Sequence, residues 1–189
     1  MSSEGDASRA DIFGTRPQLI GLLGAEATGK STLARDLART LDAELVTEAL
    51  RDFVTAHGRA PRRDEQAAVM REQLAREAEA LGRARDSDKA WVVCDPCVLM
   101  TPAYSIAYFG DDSLLVAGLE HQREYRIVLK CLPDIPWTPD PGQRDGPALR
   151  ERVETVLSDL TRAHGLRLHS LSGTASERLA QALSLLGGG

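Results

Sequence analysis

The run Gly24-Ala25-Glu26-Ala27-Thr28-Gly29-Lys30-Ser31 fits the pattern G-x-x-x-x-G-K-[ST] in full. Its residue types answer to one chemical task. Backbone N–H groups of such a loop turn inward onto phosphate oxygens, which requires glycine wherever a side chain would collide. A helix beginning near Lys30 adds the positive end of its dipole. Lys30 then reaches the β and γ phosphates of a nucleoside triphosphate, and the Ser31 hydroxyl ligates magnesium.

Other residues could complete such a site. Asp95 directly follows the apolar run Trp91-Val92-Val93-Cys94. An acid at a strand's carboxyl end can hold the magnesium, often through water, although an aspartate capping a turn before Pro96 would look the same. Glu48 stands just past a second short strand and three residues before Arg51. That carboxylate can take the proton of an acceptor hydroxyl while Arg51 orients the substrate. The same two residues also fit a surface pair one helical turn apart. Arg144 and Arg150 lie in and just after a long stretch rich in proline and glycine, where cations could close over a transferring phosphoryl group.

Several residues with chemical potential lack a pattern. His57, His121, His164 and His169 show no ligand spacing. Cys94 and Cys97 form one C-x-x-C without a second pair for zinc, so together with Cys131 they read as ordinary buried thiols of a reducing compartment.

These residues need elements to position them. The apolar run at 18–23 reads as a buried parallel strand, and 31–41 places Leu33, Ala34, Leu37, Ala38 and Leu41 at helical spacing. Further strands are expected at 44–47, 90–94, 126–131 and 166–171. Helical segments are expected at 51–57, 64–85, 113–122, 148–164 and 175–186, with 58–61 as a break and 102–110 irregular. Residues 133–147 must form a loop, and its length within a compact domain predicts a lid spanning about 133–150. Strands alternating with helices predict an α/β, three-layer P-loop NTPase fold of the nucleoside- and nucleotide-kinase kind, with a five-stranded parallel sheet. Residues 1–17 read as a flexible tail and 18–189 as a single domain, in keeping with a length of 189 residues.

Composition narrows the partners. A net charge of −5 argues against bulk nucleic-acid binding, and no apolar run suffices to cross a bilayer. The amino terminus lacks the apolar stretch of a secretory signal, so a cytoplasmic protein is expected. The basic residues are almost all arginine, and Lys30, Lys89 and Lys130 are the only lysines. Nothing in the pattern fixes an oligomeric state.

Beyond these local readings, the chain resembles the NadR-type nicotinamide riboside kinase domains. The loop Gly24, Ala25, Glu26, Ala27, Thr28, Gly29, Lys30, Ser31 and Thr32 is similar to that family's version, Glu26 included. Thr47-Glu48-Ala49-Leu50-Arg51-Asp52-Phe53 resembles its segment after the second strand, and the helix with Arg71 and Gln73 its long helix. Asp95 falls on the family's aspartate after the third strand. Most specific is Pro133-Asp134-Ile135-Pro136-Trp137-Thr138-Pro139-Asp140, followed by Arg144 and Arg150, which is similar to the family's approach to its lid.

The resemblance spans nearly the whole chain. It implies an ATP- and magnesium-dependent transfer to nicotinamide riboside or a similar nucleoside. Two positions depart. Cys97 stands where members commonly carry a second acid, and Arg126 where they carry aspartate after a tyrosine. Lys30 and the lid arginines would stabilise the transferring phosphoryl, Ser31 and Asp95 would hold magnesium, and Glu48 or Asp95 would be the base. A kinase for another deoxynucleoside and a nucleotide-dependent switch are the competing expectations, with GTP an alternative to ATP. The resemblance to a kinase module leaves no room for the further domains of bifunctional members.

Overall fold

The structure is a computed structural model that describes residues 16–136 and 146–187. Its centre is β1 (Gln18–Leu23), flanked in one parallel sheet in the order β2-β3-β1-β4-β5. The other strands are β2 (Glu44–Val46), β3 (Trp91–Cys94), β4 (Tyr125–Cys131) and β5 (His169–Leu171). Every ladder is parallel, so all five carboxyl ends share one edge of the sheet.

The apolar runs conceal a period of two that the two core clusters make visible. Leu19, Leu23, Val92, Cys94 and Val128 face one core; Ile20, Leu22, Val93, Leu129 and Cys131 face the other. The first core is closed by α3 (Gln66–Asp86), α4 (Met100–Phe109) and α6 (Pro147–His164) through Ala80, Met100, Ala103 and Leu157. The second is closed by α1 (Lys30–Thr40) and α7 (Ala175–Gly187) through Leu33, Leu37 and Ala182. Burial on both faces is what makes strands of a parallel sheet read as unbroken hydrophobic runs. Gly21 is the exception within β1, because a Cβ there would stand 2.9 Å from the Cys97 Cβ and 3.0 Å from the Tyr125 ring.

The remaining helices are α2 (Ala49–His57) and α5 (Leu115–His121). The expected three-layer, five-stranded α/β architecture is therefore the observed one, with three local corrections. Residues 102–110, expected to be irregular, belong to α4. Pro102 sits in its first turn, where no intrahelical acceptor awaits its missing N–H, and Gly110 closes the helix at φ 62°. Because Met100 to Ser105 are all buried, α4 shows no amphipathic face to read. The fifth strand begins at His169 instead of 166, since β4 offers it a register only from Leu129 to Cys131. The helix expected from 64 opens with a 3-10 turn, Arg63–Glu65. The expected tail, 1–17, lies almost wholly outside the described residues, as does the stretch 137–145 of the expected lid.

Candidate active site

The sheet brings the predicted residues to one edge. β1 runs into the glycine loop, β2 into Glu48 and β3 into Asp95, and these three strands are adjacent in the order β2-β3-β1. The Asp95 N–H donates to the Val46 carbonyl at 2.9 Å, extending the β2–β3 ladder up to the site.

In the loop, Ala27 (φ 52°) and Gly29 (φ 81°) take left-handed conformations on either side of Thr28. Such alternation turns successive N–H groups into one concavity that fits an anion. At Gly24 (φ 142°) a Cβ would meet the Cys131 carbonyl at 2.7 Å, so only glycine lets the loop leave β1 against β4. Lys30 opens α1 with its side chain buried, and its ammonium donates to the Ala25 carbonyl at 2.6 Å. The Thr28 hydroxyl donates to the same carbonyl at 2.8 Å. Glu26 is buried, Ser31 half-buried and Thr32 exposed.

Glu48 precedes α2 and is largely withdrawn from solvent, its side chain 11% exposed. Burial raises its pKa above the ordinary value, the Lys30 charge opposes that, and the Asp95 charge adds to it. Glu48 thus feels the charges of both Lys30 and Asp95. Arg51 lies 3.6 Å from Glu48 and is half-exposed, which keeps its guanidinium at the mouth. Asp95 itself is 7% exposed. Arg150 stands on the first turn of α6 and donates to the Ile135 carbonyl at 3.3 Å. Arg144 lies outside the described residues.

Three positioning side chains went unrecognised in the sequence. Gln73, from α3, accepts the Ala49 N–H at 2.9 Å and donates to the Pro96 carbonyl at 3.2 Å. One buried amide therefore spaces the residues next to Glu48 and Asp95. Arg178, on α7 and 2% exposed, donates to the carbonyls of Thr28 (2.7 Å), Leu132 (3.0 Å) and Gly173 (2.9 Å), and pairs with Asp134. The Gly173 N–H also donates to Asp134 and is the first cause holding that carboxyl below its usual range. Glu154, on α6, accepts the Ala25 N–H at 2.8 Å. Of these three only Gln73 stood in a segment quoted for the family resemblance, as did Asp134, the partner of Arg178.

The two departures from the resemblance sit in different places: Cys97 in the core two residues beyond Asp95, Arg126 at the other edge of the sheet. Cys97 is fully buried, its thiol pushed up to about 12 by that burial, in a core that also holds Glu77 and Tyr125. The buried Glu77 carboxylate is met by the Tyr125 hydroxyl and the His121 ring, each at 2.7 Å. Arg126 is exposed at the amino end of β4, the opposite edge of the sheet. All three cysteines are free and buried.

Magnesium suits the donors at this edge. A hydroxyl at Ser31 and a carboxylate at Asp95 are hard oxygen ligands of the kind magnesium takes beside phosphates. Among the described residues no group of three or more His, Cys, Asp or Glu could hold a metal ion. No helix among the described residues is long and apolar enough to cross a membrane.

The profile of a family described as an AAA domain matches residues 19–178. No curated protein sequence matches the chain. Among solved structures, the NadR protein in complex with NAD and AMP-PNP is similar over 92% of this chain, with a TM-score of 0.73 at 19% identity. Only 50% of the NadR chain is covered, so this chain spans about half its length. A thymidylate kinase from Ehrlichia chaffeensis is similar over 90% of this chain and 98% of its own, with a TM-score of 0.66 at 16% identity. Deoxyadenosine kinase from M. mycoides is similar over 90% and 100%, with a TM-score of 0.64 at 11% identity.

Proposed function

This chain belongs to the AAA domain family, and from that premise we propose that it is a kinase moving the terminal phosphate of ATP, with magnesium, onto a nucleoside-like acceptor. The observation that carries this reading is the convergence of Lys30, Glu48 and Asp95 at the carboxyl ends of three adjacent strands. A nucleotide switch needs the first and the last. The buried Glu48 carboxylate beside them adds a base that a phosphoryl acceptor's hydroxyl requires.

The residues divide the work. The loop from Gly24 to Thr32 holds the phosphates, and Lys30 leaves the Ala25 carbonyl to follow charge onto the β and γ oxygens. Ser31 and Asp95 would hold magnesium, which would supply positive charge against the phosphates. Glu48 is the base, because its raised pKa gives it more driving force towards an acceptor hydroxyl proton than an ordinary glutamate has. The hydroxyl oxygen bonds to the γ phosphorus, the bond from that phosphorus to the bridging oxygen breaks, ADP leaves and Glu48 keeps the proton. Arg51 orients the acceptor at the mouth. Residues 133–150 act as the lid, with Arg150, and Arg144 beyond the described residues, closing on the transferring group.

Nicotinamide riboside is the first acceptor to try. The similar NadR protein has been solved in complex with NR, with 19% identity over 92% of this chain. Another nucleoside or deoxynucleoside comes second, since the deoxyadenosine kinase shares the fold. ADP release from ATP and magnesium, measured across a panel of nucleosides, tests the reading. Release that depends on an acceptor is expected. Release indifferent to every acceptor, yet raised by a protein partner, would replace the kinase with a switch. The same assay with GTP settles the donor.

A further inference from the structure

Ala25 is held from both sides. Its carbonyl takes the Lys30 ammonium and the Thr28 hydroxyl, while its N–H donates to Glu154, a residue 129 positions later. The second oxygen of that carboxylate meets the Lys130 ammonium at 3.2 Å. Both side chains are mostly buried, at 15% and 14% exposure, so the contact is shielded from salt and water.

Glu154 also shares a helix face with Arg150. Four residues separate them on α6, which stacks one above the other. Arg150 reaches the Ile135 carbonyl, at the start of the segment read as the lid. A single helix is thereby pinned to the phosphate loop at one turn and to the lid approach at the previous one.

We propose that Glu154 is a positioning residue that couples the phosphate loop to the start of α6, setting where Arg150 can reach, with Lys130 cancelling its charge. The assignment rests on the kinase reading above. A carboxylate beside bound phosphates would repel them unless neutralised, and Lys130 does that from β4. A merely structural Glu154 would not need its partner's charge to permit nucleotide binding.

Steady-state kinetics on four variants test this. Glu154→Ala should lower kcat by about 10- to 100-fold with the KM for ATP moved by less than about threefold, the cost of a slightly misplaced catalytic group. Glu154→Gln keeps an oxygen for the Ala25 N–H and should retain kcat within about threefold. Lys130→Met should raise the KM for ATP, and adding Glu154→Gln to it should bring that KM back. Loss of kcat in the glutamine variant as deep as in the alanine variant would overturn the assignment, as would a Lys130→Met defect that Glu154→Gln leaves unrepaired. Should the wild type turn over no acceptor, the kinase reading fails, and hydrogen exchange still decides the coupling. A non-hydrolysable ATP analogue should slow exchange in both the loop and the first turns of α6, but in Glu154→Ala only in the loop. Equal protection of α6 in both proteins contradicts it.

Discussion

The two halves of the crevice, proposed for donor and acceptor, are built differently. The donor half is backbone: a nest of N–H groups set by Ala27 and Gly29, held by buried Glu154 and Arg178 from two helices. The acceptor half is side chains: Glu48 and Arg51 at the start of α2 and Asp95 at the end of β3, spaced by the single amide of Gln73. Backbone geometry depends little on which side chains surround it, so one triphosphate site serves many kinases. Side-chain geometry changes with each substitution, so the acceptor half is where specificity can drift.

The comparison breaks first at Lys30. Lys30→Ala should cut phosphoryl transfer by about 10²–10³-fold or more, the scale of losing one preorganised charge, without changing the circular dichroism spectrum. Preserved turnover would mean the loop does not hold the donor.

Glu48→Gln should lower kcat by about 10²–10⁴-fold, the usual worth of a general base. It also carries a sign that structure alone predicts. The folded protein keeps the Glu48 proton at a pH where the unfolded chain has released it, so this group weakens folding above its ordinary pKa of 4.5. The glutamine variant should therefore melt higher than wild type at neutral pH, with the gain disappearing in acid. Wild-type turnover should rise with pH through a pKa above the ordinary glutamate value. A melting point lowered at pH 7 would contradict the buried, strained carboxylate.

Gln73→Leu sharpens the contrast. Removing both amide bonds should cost about tenfold or more in kcat/KM for the acceptor by shifting Glu48 and Asp95 apart, while ATP binding stays within about twofold. Equal losses for donor and acceptor would dissolve the two-halves picture. The smallest effect is expected at Asp52, which pairs with Arg76 but is itself 60% exposed. Asp52→Asn should change stability by about 0.5 kcal/mol or less in denaturant titration.

The glycine loop and the succession of strands and helices were legible because their signals are contiguous: eight residues for the loop, alternating apolar and helical runs for the sheet. Asp95 and Glu48 were legible as acids at strand ends. Helix α4 was not, because a helix buried on nearly every side shows no 3.6-residue stripe. Arg178, Glu154 and Gln73 were illegible as contacts for a different reason. They meet the site across 150, 129 and 24 residues, distances at which spacing carries no information and only the folded register joins them. Of the two departures, the fold places Cys97 in the core and Arg126 at the amino-terminal edge of the sheet.

The most direct test of the account is coupling stoichiometry. With ATP, magnesium and the best nucleoside acceptor, phosphorylated acceptor and ADP should accumulate in equal amounts, and both should vanish in Lys30→Ala. ADP formed without phosphorylated acceptor, at a rate that no nucleoside changes, would contradict phosphoryl transfer by this crevice.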